Sequence, residues 1–416
     1  MPHPQASLVT AIDMGSSKTC VLVAEVAENG LQYRGHGVTE SRGTRKGAIV
    51  DLEKAIAGIQ RACELAEEAA GASVERALVG VSGVHIRGIN SRAGVSVATR
   101  AREITREDVR QAVEKARAVV LPDDREVLHL LPQEFLLDEQ NSIRDPLGML
   151  GSRLEAKVHM VTAAAAATQT VVSAVNRAGV QVDDTVYEAL ASADAILRPD
   201  ERELGVCLAD IGAGSTDLIV YHEGSVVHTA VIPIGGDHFT NDVAVGLRTP
   251  LGDAEKIKCA SGSAQVSRVP EGNEIEVPSV GDRPSRLMPQ RSLAEILEPR
   301  AQELFEMLRD NLAHSGVLEL CGAGLVLTGG GSRLRGMAQV AEEVLKRPVR
   351  SAVPAVLDKM PATLAEPEFS TALGMIFYGH RAVVARGAQP ESLLGRLKAM
   401  FVKNGTNGNG TNGHGR

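Results

Sequence analysis

Two short turns carry the residue types that bind phosphate. Asp13 and Asp210 each end an apolar strand and stand two residues before a glycine, Gly15 in the first segment and Gly212 in the second. Glycine lets backbone N–H groups approach an anion closely, and hydroxyl side chains add further donors. We therefore predict that each turn holds part of a phosphate tail. The candidate residues are Gly15, Ser16, Ser17, Lys18, Asp210, Gly212, Gly214, Ser215 and Thr216.

The two aspartates supply carboxylates where the strands end. Mg²⁺ keeps most of its water ligands and takes few carboxylates, so we predict that Asp13 and Asp210 hold Mg²⁺ through water. Asp210 is also the candidate catalytic group. Two ordinary β-hairpins with glycine turns would explain either segment alone. The same spacing occurs twice, with Thr19 matching Thr216, and this repetition favours a duplicated phosphate-binding turn.

Two further glycine runs stand directly before predicted helices. GLVLTGGGSRLRG (324–336) reads as a buried strand, glycines and a helix, and PIGGDHFTNDVA (233–244) places two glycines before another helix. Backbone N–H groups at a helix N-terminus bind phosphate groups. A tight strand-to-helix connection is the simpler alternative for the first run. The candidate nucleotide-binding residues here are Gly235, Gly236, Gly329, Gly330, Gly331 and Ser332.

The elements that must position these turns follow one order twice. Apolar periodicity after the first turn predicts strands near 20–27 and 32–38, a helix near 51–70, a strand near 76–82, a helix near 162–178 and a strand near 181–187. After the second turn it predicts strands near 217–222 and 226–233, a helix from 236, a strand near 324–328, a helix near 334–346, a short strand and a last helix near 368–385. Each half reads βββαβαβα, which predicts a duplicated α/β domain with a cleft between its halves.

Together these segments resemble the actin, Hsp70 and sugar-kinase superfamily, and more narrowly the FtsA family of actin-like bacterial cell-division proteins. The narrower resemblance is carried by EVLHLLPQEFLLD, EAKVHMVTA, DERELGVCLADIGAGSTDLIVY, TPLGDAEKIK and RSLAEILEPRAQEL, and it covers residues 7–385. It implies the duplicated, ribonuclease H-like actin ATPase fold around a nucleotide cleft, with ATP and Mg²⁺ as cofactors. The sequence leaves open whether ATP is turned over, and we expect at most a weak ATPase.

The position of the long insertion supports the narrower resemblance. Actin and Hsp70 carry a subdomain between the third strand and first helix, but here that gap spans only 38–51, whereas a long insertion covers 83–160. The FtsA family is similar, and PilM-like pilus proteins share this placement. We expect subdomain 1A at 1–83 and 161–203, inserted subdomain 1C at 84–160, subdomain 2A at 204–246 and 323–386, subdomain 2B at 247–322, a linker at 387–390, an amphipathic membrane-targeting helix at 391–403 and a disordered tail at 404–416.

The expected subdomain 2B carries candidate contacts for nucleotide and partner. By resemblance, Glu255 and Lys258, one helical turn apart, contact the nucleoside; a surface ion pair is the simpler alternative. The resemblance also implies that this subdomain binds the C-terminal tail of FtsZ, the tubulin-like division protein. Arg291 and Arg300 suit an acidic, apolar peptide in a groove, although either could belong to a solvated helix face.

The helix that carries these arginines has two local signals. Ser292 and Glu295 form a capping-box pattern, which predicts a helix start at this point. Pro299 lies inside the same helical pattern and predicts a kink or a break.

The C-terminal segment has the pattern of an interfacial helix. Its apolar residues recur on one helical face, with Arg396, Lys398 and Lys403 on or beside the polar side. We expect a membrane anchor, as in the FtsA family; a helix docked on the protein's own core is the alternative. The predicted membrane residues are Leu393, Leu394, Leu397, Met400 and Phe401.

Composition excludes several other classes. The net charge is −8, whereas nucleic-acid binders usually present a basic face, so we expect no nucleic-acid partner. The five cysteines are scattered without a C-x-x-C pair, which fits a reducing cytoplasm. The N-terminus lacks the pattern of a signal peptide, and no apolar run reaches the roughly 18 residues of a membrane span.

These observations predict an ATP-binding protein that anchors FtsZ filaments to the cytoplasmic face of the cell membrane at the division site. The expected partners are the FtsZ tail, membrane lipids, other division proteins and further copies of the chain in an actin-like polymer. The alternatives are a PilM-like pilus-assembly scaffold and an ATP-dependent kinase or ATPase of the same superfamily. Neither alternative accounts for the amphipathic C-terminal helix.

Overall fold

The computed structural model describes residues 7–27, 30–281 and 283–387, which fold around two sheets of the same strand order. The first half begins with β1 (Ser7–Met14), β2 (Lys18–Ala27) and β3 (Gly30–Glu40), a small hairpin of β4 (Thr44–Arg45) and β5 (Ala48–Ile49), helix α1 (Leu52–Ala70) and strand β6 (Arg76–Val81). Asp51 caps α1 by accepting a hydrogen bond from the Lys54 N–H, and the left-handed Gly71 ends the helix. The apolar face of α1 packs on β3 and β2 and covers one side of the sheet.

A separate domain is inserted after β6 and has its own core. It contains β7 (Arg87–Ser96), β8 (Arg102–Glu103), α2 (Arg106–Arg117), β9 (Arg125–Leu137), β10 (Gln140–Ile143), β11 (Leu150–Gly151) and β12 (Arg153–Ala164). Four strands form an antiparallel sheet in the order β10-β9-β12-β7, and α2 covers one face of it. Thr105 and Asp108 form a reciprocal capping box at the start of α2. We call residues 87–164 the inserted domain.

The chain then returns to the first sheet. It forms α3 (Ala165–Arg177), β13 (Gln181–Tyr187), α4 (Glu188–Ile196) and α5 (Pro199–Leu204), and the first sheet has the order β13-β6-β1-β2-β3. The helix predicted near 162–178 begins at Ala165, because β12 continues to Ala164. Thr162 and Ala163 pair with β9, so sheet pairing overrides the helical preference of the alanine run at its start.

The second half repeats the first. It contains β14 (Val206–Ile211), β15 (Thr216–His222), β16 (Ser225–Ile232), α6 (Gly236–Leu247), α7 (Leu251–Ser261), β17 (Glu274–Val277), β18 (Arg286–Pro289), α8 (Gln290–His314), β19 (Leu325–Thr328), α9 (Met337–Leu345), β20 (Val349–Ser351) and α10 (Ser370–Gly387). Its sheet has the order β16-β15-β14-β19-β20, which is the same topology as β3-β2-β1-β6-β13. The predicted duplicated α/β fold is therefore confirmed.

Helix α8 differs from the sequence prediction in where it begins and in running unbroken through Pro299. The capping box at Ser292 is wrong, because the helix begins earlier, at Gln290, after Pro289 at the N-cap. The Gln290 side chain donates to the Ser261 carbonyl at 2.6 Å and its N–H donates to the Asn273 carbonyl at 2.8 Å, so tertiary contacts fix the earlier start. Pro299 does not split the helix, which runs continuously through it.

None of the described helices is long and apolar enough to span a membrane. Helix α10 ends at residue 387. The remainder of the predicted linker (388–390), the predicted amphipathic helix (391–403) and the predicted tail (404–416) lie outside the described residues.

The two halves exchange helices. Helix α4 follows the first sheet but packs on β14 and β15 of the second, whereas α10 follows the second sheet and packs on β1, β2 and β6 of the first. The two helices also pack on each other. At their crossing, a Cβ on Gly374 would collide with the backbone carbonyl of Ala191, so only glycine allows this approach.

We expect Gly374→Ala to lower the free energy of unfolding by about 1–3 kcal/mol, because the added methyl group has no space against a backbone atom. Gly58→Ala is the matched control within α1, since a Cβ there meets only Thr39 Oγ1 at 4.0 Å. That control should be neutral or stabilising by up to about 1 kcal/mol. Urea unfolding followed by circular dichroism measures both, and equal effects would contradict the crossing as a packing constraint.

Candidate nucleotide site

The two predicted phosphate turns have the same geometry. Each joins a pair of antiparallel strands, with Asp13 opposite Cys20 in the first and Asp210 opposite Asp217 in the second. A Cβ on the glycine of either turn would lie 3.1 Å from the carbonyl oxygen three residues later. The fold therefore places equivalent atoms at equivalent positions in the two halves.

The two turns meet at a cluster of four acidic side chains. Asp13, Asp210 and Asp217 are buried, and Glu188 is partly buried. Burial raises the pKa of Asp13 to about 6, although the charge of Lys18 opposes this rise, and it raises the pKa of Asp217 to about 7. Burial also raises the pKa of Glu188 well above its usual value, with further contributions from the neighbouring aspartates. The cluster thus retains protons close to neutral pH.

Glu188 was missed at the sequence level. It begins α4, and a Cβ on Gly80 of β6 would lie 3.0 Å from Glu188 Oε1. In the sequence, Glu188 is an acidic residue at the point where strand β13 ends and a helix begins. Acidic residues are common at helix N-termini, so this position alone does not indicate a functional site. Its contact with the other acids depends on how α4 crosses between the halves.

Hydroxyl groups from distant segments hold the aspartates. Ser192 and Thr371 both donate to Asp210 Oδ2, and Ser82 donates to both oxygens of Asp217 at 2.7 Å. These hydrogen bonds oppose the effect of burial on the pKa of each carboxyl. Ser82 belongs to the first half and Asp217 to the second, so this bond also crosses between the halves.

Lys18 lies beside the acids and is held from the other half of the protein. Its ammonium donates to the Glu368 carbonyl and lies 4.2 Å from the centre of the Phe369 ring. Burial raises the pKa of both Asp13 and Asp210, and the positive charge of Lys18 opposes this rise at each. The first turn therefore supplies a cation to a cluster whose acids come from both halves.

The glycine run after β19 lies against the second turn. A Cβ on Gly329 would collide with Asp210 Oδ1, whereas a Cβ on Gly330 would meet only Glu368 Cβ, at 3.7 Å. Ser332 donates its hydroxyl to the Gly329 carbonyl at 2.7 Å. The helix predicted from 334 begins at Met337, after a 3₁₀ turn from Gly330 to Arg333.

The two residues predicted to contact the nucleoside lie on α7, and their side chains meet the start of α6. Lys258 Nζ lies 2.7 Å from Glu255 Oε2 and donates to the Gly236 carbonyl at 3.1 Å. The Gly236 N–H donates to the Gly212 carbonyl at 2.9 Å, which connects this group to the second turn. Burial alone would raise the pKa of Glu255, but Lys258 and its hydrogen bonds lower it. Gly235 packs against the same turn, where a Cβ would lie 2.7 Å from the Gly212 carbonyl.

The two arginines predicted to bind a peptide lie on α8, apart from these groups. Arg291 is half exposed, and its Nε lies 3.7 Å from Glu295 Oε1. Arg300 is more buried and makes two hydrogen bonds to the Asp242 carboxylate on α6, with Nε–Oδ2 at 2.6 Å, and a third to Glu303. Arg300 therefore already joins α8 to α6, a contact that the sequence did not predict.

Family models match two parts of this chain. The model described as "Cell division protein FtsA" matches residues 207–374, which contain the second phosphate turn and the glycine run. The model described as "SHS2 domain inserted in FTSA" matches residues 83–162. The second match coincides with the inserted domain of the structure.

Curated relatives match most of the chain. The cell division protein FtsA of Pseudomonas aeruginosa is 45% identical over 373 residues, covering 89% of each chain. FtsA of Escherichia coli K12 is 38% identical over 404 residues, covering 95% of this chain and 96% of its own length. FtsA of Bacillus subtilis is 34% identical and covers 91% of this chain and 85% of its own length.

Solved structures support the fold. The PilM-PilN type IV pilus biogenesis complex has a chain with a TM-score of 0.62 and 19% identity, covering 89% of this chain and 98% of its own. MreB 5 of Spiroplasma citri bound to AMPPNP has a TM-score of 0.54 and 13% identity, covering 92% of this chain and 100% of its own. At these identities the likeness shows the actin-like fold alone, and the PilM alternative fits less well than relatives at 34–45% identity. The chain belongs to the FtsA family of cell-division proteins.

Proposed function

We propose that this protein binds ATP in the cleft and anchors FtsZ filaments to the cytoplasmic face of the cell membrane at the division site. It would assemble there with other division proteins and self-associate into actin-like filaments. The observation that carries the nucleotide part is the meeting of two equivalent turns, one from each half, around Lys18 and the buried acids. The structures of an MreB relative bound to ADP and to AMPPNP support the same ligand class.

The residues of the cleft fit a magnesium nucleotide. The acids of the cluster carry more negative charge than Lys18 can balance, and a divalent cation bound there would lower their pKa values. Asp13 and Asp210 would hold Mg²⁺ through water. In the part of the chain that the structure describes, no three His, Cys, Asp or Glu side chains come together as direct metal ligands. The proposal relies on two carboxylates, and Mg²⁺ usually takes few of them.

The remaining predicted residues would divide the nucleotide between them. The turns at Gly15 and Gly212 would hold the phosphates, the glycine run from Gly329 would face the nucleoside, and Glu255 and Lys258 would contact it from α7. Burial raises the pKa of Glu188 well above its usual value and that of Asp217 to about 7, and both oxygens of Asp217 already accept from the Ser82 hydroxyl, so neither oxygen is free to act as a base. This supports at most a weak ATPase.

Gly330 gives a direct test of the nucleotide proposal. We expect Gly330→Val to weaken ATP binding by at least about 10- to 100-fold, because the new side chain would occupy the space of the nucleoside. The variant should fold, since a Cβ there meets no atom closer than 3.7 Å. Titration calorimetry gives the affinity and thermal unfolding gives the control. Near wild-type affinity in a folded variant would contradict the assignment of this loop. Gly212→Val should also abolish binding, but its Cβ would lie only 3.1 Å from Ser215 O.

The proposed FtsZ-tail site lies on the exposed side of α8. Arg291 and Arg300 would attract the acidic part of the peptide. Arg300 has a second role because its pairing with Asp242 joins α8 to α6, and α6 begins beside the nucleotide turns. A substitution at Arg300 therefore changes an intramolecular contact as well as the proposed peptide contact.

We expect Arg300→Glu and Arg291→Glu each to weaken binding of an FtsZ-tail peptide by about tenfold, because charge reversal removes a charge-assisted contact. Asp242→Asn is the matched control: it weakens the same intramolecular pair but leaves both arginines, so peptide affinity should be retained. Fluorescence anisotropy with the labelled peptide measures all three, with ATP affinity measured alongside. If Asp242→Asn loses peptide binding as severely as Arg300→Glu, Arg300 acts through the fold and not through the peptide.

Membrane attachment would rest on the predicted helix at 391–403. Full burial of one Leu or Phe is worth roughly 1.5–3 kcal/mol, but interfacial burial is partial and helix formation costs conformational entropy. Nearby cations add about 1 kcal/mol each on an anionic surface. One subunit would thus bind weakly, and a polymer would bind by avidity.

We expect deletion of residues 391–416 to release the protein from liposomes while ATP and FtsZ-tail binding persist. Leu397→Glu combined with Phe401→Glu should have nearly the same effect, since both changes place charge on the apolar face. Sedimentation with anionic liposomes, with and without FtsZ, ATP and added salt, makes the measurement. A deletion variant that still sediments with liposomes would remove this helix as the anchor.

A further inference from the structure

The small hairpin of β4 and β5 has no role in the proposals above. Its two strands are joined by Lys46 and Gly47, whose φ angles are 51° and 73°. Two consecutive residues at positive φ are the mark of a type I′ turn, the tightest connection between antiparallel strands. The hairpin therefore has a rigid tip with a lysine on it.

This tip lies between the two phosphate turns. The Gly47 N–H donates to Ser16 Oγ at 3.1 Å, and Thr44 Oγ1 donates to the Gly15 carbonyl at 3.0 Å. On the other side, a Cβ on Gly214 would lie 2.6 Å from Lys46 Cα. One backbone segment thus contacts the first turn by hydrogen bonds and the second turn by close packing. Because the Ser16 oxygen accepts from Gly47, its own proton stays available to an anion.

The charges on the hairpin point to an anionic ligand. Arg45 and Lys46 are both exposed. Burial raises the pKa of Asp237 in the first turn of α6, and the charges of Lys258 and, to a smaller extent, Arg45 oppose this rise. The Lys46 ammonium makes no hydrogen bond or ion pair within residues 7–27, 30–281 and 283–387. An unpaired cation is therefore carried by the segment that separates two phosphate-binding turns.

The same tip also reaches the start of the inserted domain. A Cβ on Gly47 would lie 2.9 Å from Gly83 Cα, and a Cβ on Gly83 would lie 3.0 Å from His85 Nδ1. The His85 carbonyl accepts from Arg125 Nη2 at 2.9 Å, and the same nitrogen donates to the Thr162 carbonyl at 2.9 Å. The tip therefore contacts the segment before β7 directly. Through Arg125, that segment is in turn joined to the start of β9 and the end of β12.

We propose that the hairpin at 44–49 distinguishes a nucleoside triphosphate from a diphosphate, with Lys46 pairing with the terminal phosphate, and that Gly47 transmits the tip's position to the base of the inserted domain at Gly83. The inference rests on the proposed ATP binding. It adds a third phosphate-contacting segment to the two turns and gives the inserted domain a direct contact with it.

Substitutions at the tip separate the two parts of this proposal. Lys46→Asn removes the charge but keeps the turn, because Asn-Gly is a favoured type I′ pair. Gly47→Ala keeps the charge but strains the left-handed position and clashes with Gly83. Arg42→Asn is the matched control, since it removes an exposed charge just before the hairpin, and among the described residues that charge pairs only with Glu40.

Two measurements on the full-length chain test it. Titration calorimetry gives ATP and ADP affinities: Lys46→Asn should lose about tenfold in ATP affinity and less than about twofold in ADP affinity, and Arg42→Asn should change neither. Hydrogen exchange over residues 83–90 should slow when saturating ATP is added to the wild type. Gly47→Ala at saturating ATP should lose this slowing.

The outcomes separate this inference from the nucleotide proposal. If the wild type binds neither nucleotide, ATP binding fails and the inference fails with it. If the wild type binds ATP but Lys46→Asn retains the wild-type ratio of ATP to ADP affinity, the sensing role of Lys46 is overturned while ATP binding stands. Unchanged exchange at 83–90 in the ATP-saturated wild type overturns the coupling to the inserted domain.

Discussion

The rest of the structure depends on bringing buried carboxylates from both halves to one point. Asp13 comes from the first half, Asp210 and Asp217 from the second, and Glu188 from the helix that joins them. Burial of charged groups is strongly unfavourable unless they are paired or protonated. The protein meets this constraint with Lys18, with donating hydroxyls and with raised pKa values. Two of the donating hydroxyls cross between the halves, Ser82 to Asp217 and Ser192 to Asp210, so the cluster links the two halves directly.

The exchange of helices is what makes that arrangement possible. Because α4 packs on the second sheet and α10 on the first, Ser192 reaches Asp210 from the first half, while Thr371 reaches the same carboxylate from the far end of the chain. The crossing at Gly374 sets how closely the two helices approach. A bulkier crossing would separate the hydroxyls from Asp210. The close packing at Gly374 and the hydrogen bonds to Asp210 therefore depend on the same distance between α4 and α10.

Features that depend on neighbouring residues, and that occur in both halves, could be predicted from the sequence. The turns at Gly15 and Gly212 were found because their spacing recurs, and the strand order followed from periodicity around them. Glu188 was not found, because its role depends on a long-range helix exchange that no local pattern records. The start of α8 was mispredicted for a related reason, since the tertiary hydrogen bonds of Gln290 outweigh the capping pattern at Ser292. Residue spacing along the chain does not show which side chains from distant segments come together at a site.

The inserted domain contacts both halves, so a rotation of one half against the other would change the contacts of this domain. Its base touches the first half near Gly83, while its sheet contacts the edge strand β16 of the second half through side chains. Asn90 donates to the Val227 carbonyl at 2.9 Å, and the buried His159 bonds to Thr229 Oγ1 at 2.9 Å. Burial lowers the pKa of His159 to about 3, so this contact is neutral near neutral pH and has no charge to screen. Rotation of one half against the other must either carry the domain along or break these bonds. Gln133 adds two more such bonds, since its side chain donates to the Val226 carbonyl at 2.7 Å and its backbone carbonyl accepts from Ser225 Oγ at 2.9 Å. The orientation of the inserted domain is therefore tied to the edge strand of the second half.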